Sequence, residues 1–245
     1  MKPLFQKIAI LGLGLIGGSL ALDLKRLGLA KTVVGYNRSA ASRRAAQRRQ
    51  ACDEVFADPK KAVAGADLVV LAVPVRTIPT LAKLIAPYLK KGAIVTDVGS
   101  TKEALNARVK KVLTKEVSWI GGHPIAGAEK TGMISAEAGL FKDRWWILTP
   151  EGKGGATAKL RLLLQIIGAK VKVMKAAEHD RVLAAASHLP HLLAFSLVQL
   201  AAKPNRRKTL ELAGSSFRDA TRVAASSPEM WVDICLDNRK ALLAA

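Results

Sequence analysis

The sequence predicts an α/β domain with an open parallel sheet, followed by a smaller all-helical domain. Short apolar runs alternate with helical patterns from the start of the chain to about Ala176, as they do in consecutive βαβ units. A glycine-rich turn at Gly12 directly follows the first apolar run. After Ala176 the alternation stops, and long apolar helical stretches replace it. We therefore expect a first domain over residues 1–176 and a second over residues 177–245.

The predicted strands are apolar runs of four or five residues, which are typical of sheets covered on both faces. In chain order they span residues 7–11, 32–36, 68–72, 93–97, 118–121, 145–149 and 171–174. A helical pattern over 156–167 connects the last two strands, so the sheet should continue past the midpoint of the chain.

The second domain contains two long helical patterns. The first covers 178–202 and is mostly apolar, with an interruption at Pro190, where proline removes a backbone hydrogen bond and bends the helix. The second covers 228–243 and has Pro228 in its first turn, where proline is favoured. The apolar faces of these helices exceed what one small bundle buries, so we expect a homodimer that forms through this domain.

The composition is that of a globular protein. Half of its 245 residues are hydrophobic, enough to bury a large core without a metal or a disulfide. Cys52 and Cys235 lie far apart and show no metal-ligand spacing, which indicates reduced thiols in a cytoplasmic protein and no metal site. The sequence shows no signal segment and no apolar run of bilayer-spanning length, so we expect no membrane partner.

The formal net charge of +20 raises the question of a polyanionic partner, because so large an excess attracts polyanions at long range. The basic residues are scattered along the chain, and only 4% of residues are aromatic, too few for the stacking platforms of single-strand binding proteins. We therefore interpret the charge as a property of the solvated surface and expect no nucleic-acid partner.

A GxGxxG motif predicts a Rossmann-type dinucleotide-binding site. The motif follows a predicted strand and opens a predicted helix, which is the context that this fingerprint requires. Its first glycine should make the tight turn, its second admit a pyrophosphate and its third allow close helix packing, while helix N–H groups bind the anion. The expected cofactor-binding residues here are Gly12, Gly14, Leu15, Ile16 and Gly17, with Val73 and Pro74 after the 68–72 strand.

The end of the second strand favours NADP over NAD. An NAD site usually carries an acidic residue there for the ribose 2′-OH, whereas this chain has Asn37, Arg38 and Ser39. Arg38 can pair with a 2′-phosphate, and the other two side chains can donate hydrogen bonds to it. The alternative is that Arg38 is simply one of 39 basic residues, so NAD stays open as the cofactor.

Three segments follow predicted strand ends, where ligands bind in open α/β sheets. They are VPV at 73–75, DVGSTK at 97–102 and GGHPIAGAEK at 121–130. Together with SHLPH at 187–191 and SFRDATR at 216–222, they closely resemble the prephenate/arogenate dehydrogenase family in order and spacing. This resemblance implies an enzyme of tyrosine biosynthesis that oxidatively decarboxylates prephenate or arogenate and transfers hydride to NADP or NAD.

The resemblance implies that His123 accepts the proton of the substrate's ring hydroxyl while hydride leaves the carbon. A neutral imidazole suits this role because it titrates near the operating pH. Ser100 is implied to orient the same hydroxyl. Equally, Ser100 and Glu103 match a capping box at the start of a helix, and the two roles are compatible.

The same resemblance supplies the remaining expected site residues. Arg222 corresponds to the arginine that pairs with a substrate carboxylate, for which a planar guanidinium is suited. Arg218 corresponds to a basic position near that arginine. Alternatively, Arg218 forms a surface ion pair with Asp219. Others expected near the substrate are Glu129, His188, His191 and Trp231. For Trp231, packing in the hydrophobic core is an equally good interpretation.

The nearest rival is a β-hydroxyacid-type NADP-dependent dehydrogenase, which shares the glycine-rich start and a helical second domain. Such an enzyme uses a catalytic lysine in its helical domain, whereas the corresponding long helix here offers His188 and His191 but no lysine before Lys203. A more remote rival is a nucleotide-sensing or nucleic-acid-binding protein on the same fold, which the positive charge would suit.

Overall fold

The computed structural model of the chain describes residues 2–127, 132–151, 154–202 and 206–245. The chain divides into two compact units, Met1–His179 and Asp180–Ala245. The division falls within a helix, Ala176–Leu183 (α7), close to the domain boundary expected from the sequence at 176/177.

An eight-stranded sheet organises the first unit. Its strands are β1 (Phe5–Leu11), β2 (Ala30–Tyr36), β3 (Glu54–Phe56), β4 (Leu68–Leu71), β5 (Ile94–Asp97), β6 (Ser118–Pro124), β7 (Trp145–Pro150) and β8 (Lys170–Val173). Their order across the sheet is β3-β2-β1-β4-β5-β6-β7-β8. Neighbouring strands run parallel except β6 and β7, which pair antiparallel.

Helices connect the strands of this unit. They are α1 (Leu15–Arg26), α2 (Ala40–Arg48), α3 (Pro59–Val63), α4 (Ile78–Ile85), α5 (Glu103–Lys110) and α6 (Gly155–Ile166). Successive residues of β1 point to opposite faces, as the strand period requires. Ile8 and Ile10 pack in a hydrophobic cluster with α1 and α6, and Ala9 and Leu11 pack in a second cluster with α4 and α5.

The α/β prediction is confirmed, with two differences in the sheet. Strand β3 was not predicted because it is three residues long and only partly buried, so it has no apolar run to mark it. The antiparallel sense of β7 was not predicted either, because the period of side chains along a strand is the same in both directions.

The second unit is helical, as expected. Its helices are α8 (Leu189–Ala201), α9 (Arg206–Glu211), α10 (Ser215–Thr221), α11 (Pro228–Asp237) and α12 (Arg239–Ala244), and a π-helical turn, Ala184–His188, joins α7 to α8. Pro190 lies in the first turn of α8 and does not end the helical run. The predicted helix over 228–243 is divided at Asn238, whose buried side chain donates to the Asp180 carbonyl oxygen at 2.9 Å.

The helical run Ala176–Ala201 has 26 residues and is long and apolar enough to cross a membrane by length and composition alone. The expectation that no apolar segment reaches this length was therefore wrong, because the helix continues through the π-helical turn and Pro190. Most of its apolar window is exposed in the single chain. Such a face suits packing against a second protein copy as well as contact with lipid.

Candidate active site

The glycine-rich turn has the geometry that a dinucleotide phosphate requires. Gly12 has a φ of +111°, and a Cβ atom there would lie 2.1 Å from the carbonyl oxygen of Ala72. A Cβ atom at Gly17 would lie 2.0 Å from the carbonyl oxygen of Gly12, so neither position admits a side chain. Among the described residues, nothing lies within 4 Å of the Cβ position at Gly14, and no side chain caps α1. Open space and uncapped N–H groups thus coincide at this helix start, which fits a pyrophosphate.

The other residues expected at the cofactor lie around the same turn. Leu15 and Ile16 form the first turn of α1. The Cγ1 atom of Val73 is 3.0 Å from the Cβ position at Gly12, and Pro74 precedes a 3-10 turn. Because β1 and β4 are parallel neighbours, the segments that follow them meet at one edge of the sheet, where ligands bind in this fold.

In the turn after β2, the side chain of Arg43 contacts the backbone of the residues expected to bind the cofactor. Asn37 Oδ1 accepts a hydrogen bond from the Ser39 backbone N–H at 2.8 Å, and Ser39 Oγ caps α2 by accepting from the Ser42 N–H at 3.4 Å. Arg43 Nη1 donates to the carbonyl oxygens of Asn37 and Arg38, at 2.8 and 2.9 Å. The Arg43 guanidinium therefore lies beside the turn that carries Arg38. No sequence pattern distinguishes Arg43 from the other arginines on α2.

A buried ion pair lies beneath the loop that follows β5. Asp97, the last residue of that strand, and Lys102 are both fully buried and form a salt bridge. Asp97 also accepts hydrogen bonds from the backbone N–H groups of Gly99, at 2.7 Å, and Gly122, at 2.9 Å. Burial raises the pKa of the Asp97 carboxyl, while Lys102 and these two N–H groups oppose that shift. One carboxylate therefore ties the loop after β5 to strand β6.

Ser100 and His123 are the residues that directly follow Gly99 and Gly122, whose N–H groups donate to Asp97. Ser100 is partly buried in the loop after β5. The alternative reading of Ser100 as a helix cap was wrong, because α5 begins at Glu103 with Lys102 as the N-cap residue. His123 is buried near the carboxyl end of β6, which runs parallel to β5. The structure thus fixes the two expected catalytic segments to each other through their backbones.

A second histidine contacts the ring of His123. His123 Nδ1 lies 2.8 Å from Nε2 of His179, a fully buried residue of α7. The ring centroids are 5.1 Å apart, and the ring planes meet at 65°. Because this contact occupies Nδ1, Nε2 is the ring nitrogen of His123 that a ligand would contact. His179 was not predicted from the sequence, since no local pattern relates this helix residue to a strand residue 56 positions earlier.

The second unit brings another set of expected residues together. His191 stacks on Trp231 with ring centroids 3.6 Å apart, and its Nδ1 lies 2.9 Å from the Ser187 carbonyl oxygen. Burial lowers the pKa of His191, the contact with Ser187 raises it, and Arg222 lowers it again. The net effect is a lowered pKa of His191. Trp231 is largely buried, and its Nε1 atom has no hydrogen-bond partner among the described residues.

The other expected substrate residues differ in their exposure. His188 is buried, with Nδ1 2.9 Å from Nδ2 of Asn238 and its ring facing Trp231 edge-on, so its described contacts are with the interior of the second unit. Arg218 in α10 and Arg222 at the start of a 3-10 turn are exposed. Glu129 lies outside the described residues.

Two domain families match the chain in consecutive segments. Residues 20–173 match the family described as prephenate dehydrogenase, nucleotide-binding domain, and residues 175–245 match prephenate dehydrogenase, dimerization domain. The cyclohexadienyl dehydrogenase of Zymomonas mobilis is 41% identical, over 98% of this chain and 83% of its own length. The prephenate dehydrogenase of Bacillus subtilis is 36% identical, over 99% of this chain and 67% of its own length.

Solved structures show the same relationship. A prephenate dehydrogenase from A. aeolicus, in complex with hydroxyphenyl propionate and NAD+, has a TM-score of 0.89 and 34% identity, covering 98% of this chain and 85% of that one. Synechocystis arogenate dehydrogenase has a TM-score of 0.83 and 34% identity, covering 97% and 86%. A 3-hydroxyisobutyrate dehydrogenase from Mycobacterium tuberculosis, at 18% identity and a TM-score of 0.57 over 92% and 72%, is similar in fold alone. The β-hydroxyacid alternative is therefore not favoured.

Proposed function

Because this chain belongs to the prephenate dehydrogenase family, we propose that it oxidatively decarboxylates prephenate, arogenate or both. The chain is an NAD(P)-dependent oxidoreductase of tyrosine biosynthesis. The observation that carries the proposal is the position of His123. This residue is buried near the carboxyl end of β6, and β1, which leads to the glycine-rich turn, runs parallel to β6 in the same sheet through β4 and β5.

His123 is assigned as the base. The ring hydroxyl of the substrate transfers its proton to Nε2 of His123, and hydride leaves the carbon that bears this hydroxyl. The bound nicotinamide, when present, supplies the hydride acceptor. The ring carboxylate leaves as CO2, its bonding electrons stay in the ring, and the resulting aromatic phenolate takes the proton back from His123. Aromatisation drives the reaction, so the protein supplies mainly orientation and this one proton transfer.

NADP is the preferred cofactor in this proposal. The turn after β2 carries Arg38 and places Arg43 against its backbone, and none of its residues from 37 to 39 is acidic. A 2′-phosphate carries charge that two guanidinium groups attract, whereas a ribose hydroxyl gains little from them. NAD remains a substrate in this account, used with lower efficiency.

Arg222 is assigned to a substrate carboxylate. The residue is exposed in the second unit, and its charge is close enough to lower the pKa of His191. The stacked pair of His191 and Trp231 offers an aromatic surface beside it.

Ser100 is assigned to orient the ring hydroxyl, with its loop fixed by Asp97. These roles rest on the correspondence with the family and on the described contacts.

The protein is proposed to act as a cytoplasmic homodimer. The second unit matches a dimerization domain, and α8 and α11 expose several large apolar side chains in the single chain. The exposed group includes Leu193, Leu200, Val232 and Leu236. Burying such a face against a second copy removes apolar area from water, which favours association.

The test is to follow reduction of NADP and of NAD with prephenate and with arogenate, at one salt concentration. We expect CO2 and reduced cofactor in equal amounts with at least one of the two substrates, and higher kcat/KM with NADP. Reduction without CO2 release would assign a simple dehydrogenase, and no turnover in any of the four combinations would overturn the proposal.

A further inference from the structure

The contact between His123 and His179 restricts which proton each ring can carry. Two neutral imidazoles joined Nδ1 to Nε2 share one hydrogen, so one ring donates and the other accepts. His123 can receive the substrate proton on Nε2 only if that atom holds a lone pair. In the neutral ring the hydrogen then has to be on Nδ1, and His123 donates to Nε2 of His179. The reverse arrangement, with His179 donating, would put the hydrogen of neutral His123 on Nε2 and block the base.

We propose that His179 is a positioning residue that holds His123 in the tautomer and orientation required of the base. The inference rests on the proposed role of His123 in proton transfer, which His179 does not itself perform. His179 has to accept through Nε2, so its own hydrogen is on Nδ1. In this tautomer pair, the ring hydrogens point in one direction, from His123 toward His179.

Burial makes this arrangement specific. His179 is fully buried and His123 is nearly so, and a hydrogen bond inside the protein is stronger and better defined than one in water. The edge-on packing of the rings, at 65°, brings the two nitrogens to 2.8 Å and fixes the plane of His123. The Asp97 contact to the Gly122 N–H fixes the backbone just before the same residue. The base is thus held at its ring and at its backbone by two separate contacts.

The same contact has a role when the proton is transferred. Once Nε2 takes the hydroxyl proton, His123 becomes an imidazolium, and its Nδ1–H donates to a neutral nitrogen of His179. A hydrogen bond from a charged donor is shorter and stronger than one between neutral groups. His179 therefore stabilises the cationic form of His123 more than the neutral form, which favours proton uptake at the moment that the hydride leaves.

The chain is well suited to a direct test, because it contains only four histidines, at 123, 179, 188 and 191. Nitrogen-15 NMR of histidine-labelled protein distinguishes a protonated from an unprotonated ring nitrogen, and His123→Asn and His179→Gln assign two of the four rings. In the unsubstituted protein above the histidine titration range, we expect the hydrogen of His123 on Nδ1 and that of His179 on Nδ1. A His123 ring that carries its hydrogen on Nε2 would overturn the proposal without any measurement of turnover.

Two variants then link the tautomer to the rate. His179→Leu removes the acceptor at similar volume, and we expect kcat to fall about 10- to 100-fold because His123 is misplaced, with the KM values for substrate and cofactor nearly unchanged. His179→Gln places an amide oxygen near the Nε2 position and should recover most of that loss. Equal losses in the two variants, or a loss confined to KM, would show that His179 acts only through packing.

The double variant His123→Asn/His179→Leu separates this proposal from the assignment of the base. If His179 acts through His123, its substitution costs little further rate once His123 is Asn, since the two effects are coupled. Independent, multiplying losses would overturn the positioning role. If His123→Asn alone keeps the parental kcat, the proposed function of His123 has failed instead, and the NMR result for the tautomer still stands as measured.

Discussion

At the residue scale, the proposed preference for NADP depends on the side chain of Arg38 after β2. Arg38 is exposed there, with the Arg43 guanidinium bonded to its carbonyl oxygen. We expect Arg38→Ala to lower kcat/KM for NADP about 10- to 100-fold, the value of a charged hydrogen bond of about 1.5–3 kcal/mol, and to leave NAD nearly unchanged. Steady-state kinetics with each cofactor measures this. Arg161→Ala, an exposed arginine on α6, is the charge-matched control. Equal losses for NADP and NAD would remove the 2′-phosphate argument.

Arg222 provides the corresponding test on the substrate side. A guanidinium that pairs with a carboxylate contributes through charged hydrogen bonds, and its loss leaves the carboxylate without a partner. Arg222→Ala should weaken binding of the dicarboxylate substrate by roughly 2 to 4 kcal/mol, seen as a higher KM for substrate with the KM for cofactor unchanged. A normal substrate KM in this variant would show that Arg222 points elsewhere.

Local features of the site could be predicted from the sequence, whereas contacts between residues far apart in the chain could not. The glycine turn could be predicted in detail, because its three glycines are local and each has a steric reason, as the distances at Gly12 and Gly17 show. The partners of Asp97 and His123 could not, since they depend on how β5, β6 and α7 pack. The histidine pair in particular joins residues 56 positions apart.

At the level of elements, Asn238 determines where the last helical stretch divides. The sequence pattern predicted one helix over 228–243, because both halves are apolar enough to continue it. The structure instead ends α11 at Asp237 and buries the Asn238 side chain between the Asp180 carbonyl oxygen and His188 Nδ1, 58 and 50 residues away. Tertiary hydrogen bonds therefore outweigh the local helical pattern at this position.

Asn238→Ala tests the energetic weight of this junction. Removing the amide takes this hydrogen-bond donor from the Asp180 carbonyl oxygen and this partner from His188 Nδ1. Each buried polar group that is left unsatisfied costs about 1–3 kcal/mol of stability. We expect a lower urea midpoint for unfolding, with the m value unchanged. Lys240→Ala, an exposed change in α12, is the control. A midpoint no lower than that of the control would show that the junction contributes nothing to stability.

The whole molecule combines a strongly positive charge with an apolar helical unit. The charge of +20 on one chain opposes association at low ionic strength, since like charges repel over about 10 Å at 0.1 M salt and farther below it. The exposed leucines of α8 favour association by burial. Residues 175–245 match a dimerization domain. This match favours association by burial over charge repulsion at physiological salt.

Light scattering at micromolar protein and physiological salt should therefore give about twice the mass of one chain. Leu193→Lys, a charge placed on the exposed face of α8, should shift the protein toward monomer because it buries an unpaired cation in a dimer interface. Lys208→Glu, a charge change on an exposed polar residue of α9, serves as the control. A fully active monomer at the same concentration would contradict the proposed dimer.

Proton transfer to His123 is the step on which the proposed reaction depends, and a His123→Asn variant isolates that step. A histidine base must be neutral to accept the hydroxyl proton, so we expect the kcat of the parent enzyme to fall as pH drops through the apparent pKa of the complex. Asparagine can hold the substrate hydroxyl but cannot take its proton. The variant should bind substrate and cofactor with nearly parental affinity, lose roughly 10² to 10⁴ in kcat, and lose the acid limb of the pH profile. A His123→Asn variant with parental kcat, or one that keeps the acid limb, would contradict the assignment.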